Sequence, residues 1–187
     1  MRPAFRKAFL TLHLASALGW LGADAGFFVL ALVGLSSPNI VSIKAAYISM
    51  ETIGWYVIVP LAFASLGTGL ILALRTQWGV FRHYWVIAKL ALTIGGTVFL
   101  LAHTQAMGVA AMHARDPELE TRSALLSHLA ASHAGGHLGN VQLQLAVAAG
   151  GGLLLLLGIT ATGIFKPKGL TLYGKRKQRE RVAAGRH

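Results

Sequence analysis

Four apolar runs, each long enough to cross a bilayer, constrain this chain more than any other feature. They fall at about 8–35, 53–74, 84–112 and 141–165. About 20 apolar residues at 1.5 Å rise per residue cover the roughly 30 Å hydrocarbon layer. In lipid a spanning segment must satisfy its own backbone hydrogen bonds, and a helix does so. The expected fold class is therefore all-α, an integral membrane four-helix bundle over residues 1–166 with a short surface helix outside. Composition agrees. Only 12% of the residues are charged, against about a quarter in a soluble domain.

The third run is the informative one. Within 82–103, RHYWVIAKLALTIGGTVFLLAH, the residues Lys89, Thr93, Gly96, Leu100 and His103 follow one another at steps of four and three. Those steps place them on one stripe of a helix. A bare lipid anchor has no need of a polar stripe, so this helix is expected to pack it against other helices.

The remaining runs have their own punctuation. The first is broken only by His13 and Asp24, and it contains a Gly22-x-x-x-Gly26 pair of the kind that lets helix backbones approach. Its basic start and Ala23-Asp24-Ala25 loosely imitate a leader, but apolar sequence continues through Phe27 to Leu30, so a retained membrane helix is expected. Ser36-Ser37-Pro38-Asn39 is a turn, and a second helix should start near Ile40. Pro60 lies inside it and should kink it, because proline removes one donor and strains the carbonyl of Tyr56. Trp55, Trp78 and Trp85 fit interfacial positions. Asp116-Pro117 reads as the start of an amphipathic surface helix over 117–133, stopped by Gly135-Gly136. The tail, 167–187, is basic and without apolar periodicity, and no regular structure is expected there.

Seventeen Lys and Arg residues give a formal charge of +11. Their distribution explains the excess better than nucleic acid does, since no soluble domain is present to hold it. Thirteen lie in the N-terminus, the 75–82 loop and the tail. Lys44, Arg115 and Arg122 lie at the other end, and Lys89 lies within the membrane. By the positive-inside rule both termini are expected to be cytoplasmic. The basic tail should rest on anionic lipid. A second copy of the chain or a partner membrane subunit is the expected protein contact.

The intramembrane polar residues sort by depth into two layers. His13 and Lys89 lie about 8 and 6 Å above the inner face at 1.5 Å per residue. Asp24, Glu51 and His103 lie toward the outer side, with His137 at a similar level. His133 and His137 have the i, i+4 spacing of a two-imidazole metal site, with His103 as a further candidate ligand, but Gly135-Gly136 lies between them. Asp24 is the hardest to read as packing, because a carboxylate in lipid is expensive and faces a partner or water. Cysteine is absent, which excludes disulfides, thiolate chemistry and covalent haem attachment. There is no Gly-x-Ser-x-Gly, no phosphate-binding glycine loop and no His-Glu-x-x-His.

HLASALGWLG at 13–22, VIVPLAFASLGTGL at 57–70 and WVIAKLAL at 85–92 resemble a bacterial family of four-helix membrane proteins catalogued as domain of unknown function 2269. More distantly, a His in the first helix followed by Trp-x-Gly, with Trp-x-x-x-Lys-Leu in the third, is similar to the HemJ-type protoporphyrinogen oxidases. It is also similar to the membrane domain of CopD-type copper-resistance proteins. The HemJ-type resemblance implies haem b, carried onto His13 and Lys89 only. The residues around the lysine differ from those oxidases and His103 has no secure counterpart, so the reaction is not carried over. Three readings follow. One is a non-covalent haem b redox protein with its site between the first and third membrane helices. Another is a copper or proton conduit through Asp24, Glu51, His103 and the outer histidines. The last is an accessory membrane subunit without chemistry.

Overall fold

The computed structural model describes residues 3–75, 81, 83–131, 140–165 and 169–184. It is all-helical. The first span is α1 (Pro3–Ser36). The second is a continuous helical rod built from α2 (Ile40–Ile53), a wide turn (Gly54–Ile58) and α3 (Val59–Arg75). The third is α4 (Tyr84–Arg115). A short α5 (Arg122–Ala131) precedes the fourth span, α6 (Val141–Phe165), and α7 (Leu172–Ala184) closes the chain. Four of these rods are long and apolar enough to cross a membrane.

They form a square. The first span packs on the second and fourth, the third packs on the same two, and α1 and α4 face each other diagonally. The surface is the reverse of a soluble protein's. Val98, Leu154 and Ile164 are among the large apolar side chains that point outward, as a lipid-facing surface requires. Most of the tightly closed core sits in the half of the bundle nearest α5. There Ile43, Tyr47, Met50, Met107, Leu125 and Leu145 are almost wholly buried.

Local chemistry sets the helix ends. Asn39 Oδ1 accepts from the Val41 backbone N–H at 2.8 Å and starts α2. The disturbance expected at Pro60 takes the form of the wide turn one residue before it, where Val59 N–H donates to Gly54 O, five residues back. Inserting one residue per turn re-registers the ladder ahead of a residue with no N–H to give.

Three sequence expectations are corrected. Asp116 does not begin the surface helix. It ends α4, and its Oδ1 accepts from Glu118 N at 2.9 Å within a turn. The short helix begins later, behind Thr121, whose hydroxyl accepts from Ala124 N at 3.2 Å. The tail is not without structure: α7 is helical, with Arg176 and Lys177 bonded to Glu180. The hydrogen bond from Lys177 and then that from Arg176 hold the Glu180 carboxyl below its usual range. Finally, the Gly22 and Gly26 pair meets no neighbour within 4 Å and serves no close approach inside the bundle. Gly34 does, because a Cβ there would lie 2.7 Å from the Tyr47 ring.

The three basic residues at the charge-poor end are all engaged. Lys44 Nζ donates to Asp116 O at 2.9 Å, Arg122 Nε donates to Ser37 O at 3.0 Å, and Arg115 pairs with Glu51.

Candidate functional site

The half of the bundle away from α5 holds a cavity of about 490 Å³ walled by α1, α3, α4 and α6. That lies within the roughly 300–1,000 Å³ range of small-molecule and cofactor sites. His13 lines it from α1, Ser65 and Gly69 from α3, Lys89 and Thr93 from α4, and Gly163 from α6. The two residues singled out from opposite ends of the sequence half thus meet one space, reached from diagonal corners of the square.

The His13 ring is held in a defined orientation. Its Nδ1 lies 3.1 Å from the carbonyl oxygen of Ser65 and 3.1 Å from the hydroxyl of Thr68. A backbone carbonyl only accepts, so Nδ1 carries the proton. The Thr68 hydroxyl spends its own hydrogen on Ala64 O at 2.6 Å and so also accepts from His13. In the neutral ring the lone pair is then on Nε2, which has no hydrogen-bond partner among the described residues. Gly69 makes the room for the ring, since a Cβ there would stand 3.0 Å from Cε1.

Lys89 reaches toward α6, where a Cβ on Gly163 would stand 2.8 Å from Nζ. The amine has no hydrogen-bond or carboxylate partner among the described residues. The space is bounded at its small positions by Ala17, Gly69 and Gly163. Ser16 is buried and its hydroxyl donates to His13 O at 3.1 Å. Gly96 faces Leu155 instead, where a Cβ would meet Cδ2 at 2.9 Å.

A second, smaller cavity of about 50 Å³ lies one helical turn further along, beginning at Gly96 on α4 and Leu156 on α6. Asp24 and His103 both line it, beneath Trp20. Asp24 faces the bundle, not lipid. It is only 8% exposed, and its Oδ2 has no hydrogen-bond partner among the described residues. Glu51, expected in the same layer, is turned away to Arg115. His103 Nδ1 bonds Phe99 O at 2.8 Å, and its ring lies tilted against that of Phe99 with centroids 4.1 Å apart. Of the metal candidates, His133 and His137 lie outside the described residues. Among the described residues no three His, Asp or Glu side chains gather as a metal site would need. His113 and His128 approach as a pair, with ring centroids 5.9 Å apart.

Two of these features were beyond sequence reading. The Thr68 and Ser65 partners of His13 lie more than fifty residues away, and Gly163 carries no signal of its own. Asp24, in contrast, was flagged by its charge alone.

A square of four rods long and apolar enough to span a bilayer defines a multi-pass membrane protein. No protein-family model, curated protein or solved structure matches the chain.

Proposed function

We propose that this membrane protein binds haem b without a covalent link and exchanges electrons through it, in the cavity bounded by α1, α3, α4 and α6. We place it in a bacterial cytoplasmic membrane with both termini inside. The observation that carries the reading is the His13 ring. A ring nitrogen bonded to a backbone carbonyl, with the other nitrogen left bare beside a cavity, is how proteins present imidazole to a metal. Haem iron in a membrane bundle takes such a nitrogen as an axial ligand.

The rest of the donor set fits. Apolar side chains from four helices suit a flat macrocycle. Lys89 and Arg6, both on the cavity wall, offer cations to the acidic edge of a haem. The absence of cysteine makes the attachment non-covalent. Bound haem supplies one-electron chemistry. The protein's residues supply the ligand, fix its tautomer, neutralise the carboxylates and exclude water. The basic helix α7, with Tyr173 and Leu172 exposed beside its charges, is proposed to lie on anionic headgroups at the same side of the membrane.

The test is the absorption spectrum of the full-length protein purified from haem-replete cells, oxidised and then reduced. A haem b spectrum is expected. It should vanish in His13→Ala and persist in His128→Ala. A colourless wild-type preparation overturns the haem reading and leaves an accessory subunit as the better description.

A further inference from the structure

The Asp24 carboxyl is the one acidic group of the chain's six that is buried. It is 8% exposed, and its Oδ2 has no hydrogen-bond partner among the described residues. A buried polar atom left unpaired loses its hydration without compensation, so such an atom in a bundle calls for a ligand. The cavity it lines, about 50 Å³, has room for about three to five waters, at roughly 10–15 Å³ of accessible space each.

The walls decide what the ligand is. Around the cavity α1 contributes Trp20, Asp24 and Phe27, the wide turn contributes Ile58, α4 contributes His103 and Met107 among apolar neighbours, and α6 contributes Leu145 and Gly152. Asp24 and His103 are the only titratable or charged side chains among them. A hard cation such as sodium or calcium needs about six oxygens, and the cavity offers one carboxyl. Two donor side chains are too few for a tight transition-metal site. An anion finds a carboxyl facing it. What remains is water, held between a carboxyl on α1 and an imidazole on α4. His103 carries its Nδ1 proton to Phe99 O, which leaves Nε2 to accept or release a proton, and the residue lines the cavity. The ring is only half-buried, so it also touches the outside of the bundle.

We propose that Asp24 and His103 form a hydrated proton-exchange site, in which a water-linked proton passes between the carboxyl and Nε2 of the imidazole. No bond other than O–H and N–H is made or broken, and no electron moves. Gly152 belongs to this site, because a Cβ there would stand 3.1 Å from Asp24 Oδ2 and crowd the carboxyl. The inference does not depend on haem in the larger cavity.

Infrared difference spectroscopy of the full-length protein in lipid nanodiscs tests it. A carboxylic-acid carbonyl band is expected that titrates with pH, shifts within a minute of transfer into D2O, and disappears in Asp24→Asn. In His103→Gln the midpoint of the same band should move by about one pH unit, the scale of a neighbouring charge. The glutamine variant changes a half-buried position and reports on a folded protein even if Asp24→Asn does not accumulate. A band that never titrates, that exchanges only over hours, or whose midpoint is unmoved in His103→Gln overturns the proposal.

Discussion

The ring of His13 is bonded to the backbone of Ser65, with Nδ1 3.1 Å from the carbonyl oxygen and 52 residues of chain between them. That bond ties the first span to the second. It also decides which nitrogen of the ring faces the cavity.

Loosening that hold should weaken whatever His13 binds without removing the ligand. Thr68→Val deletes one of the two Nδ1 partners and keeps the carbonyl. Gly69→Ala puts a methyl 3.0 Å from Cε1, tight enough to push the ring aside. Each is expected to lower haem affinity by about ten-fold to a hundred-fold, the range seen when a ligand's supporting partner is lost. Titration of the apoprotein with haem, followed in the visible band, measures it. Unchanged affinity in both variants would show that the ring's orientation is irrelevant to binding.

At the other end of the bundle, Gly34 lies against the ring of Tyr47, which is 1% exposed. Gly34→Ala should destabilise the fold by about 1–3 kcal/mol, the cost of overpacking a closed core. Gly22→Ala, with nothing within 4 Å, should change stability by less than about 0.5 kcal/mol. Tyr47→Phe is expected to be close to neutral, because the hydroxyl it removes has no hydrogen-bond partner among the described residues. Unfolding of the purified protein in mixed micelles would rank the three.

Glu51 and Arg115 form an ion pair whose side chains are 26% and 50% exposed. Such a pair contributes about 0–1 kcal/mol. Glu51→Gln should therefore cost less than about 1 kcal/mol, and the cost should shrink in high salt. An effect of several kcal/mol would place Glu51 in the buried layer with Asp24.

The orientation is open to a direct check. A reporter active only outside the cytoplasm should work when fused after Ala114 and fail when fused after Gln77 or at the C-terminus. The charge bias motivates this, and it gains force because Lys44, Arg115 and Arg122 are each bound within the protein. Activity at the C-terminus would reverse the orientation.

The sequence by itself determined the class. Four apolar stretches of bilayer length leave the helix as the only way to satisfy the backbone, so the four-rod bundle was legible without any contact being known. It also exposed Asp24, because a charge in an apolar run is conspicuous wherever it points. Only the tertiary structure decided what the polar residues do. Glu51 and Asp24 have the same charge and similar depth in the sequence, yet one meets Arg115 and the other lines a small cavity between the helices. Helical rotation and the diagonal placing of α1 and α4 make that difference, and neither is written in the spacing of a single segment. The glycines show the same limit. Gly22 and Gly26 form a motif and touch nothing, while Gly69 and Gly163 form none and make the space around His13 and Lys89. A missing side chain matters only where another helix arrives, and that arrival is a property of the packed bundle.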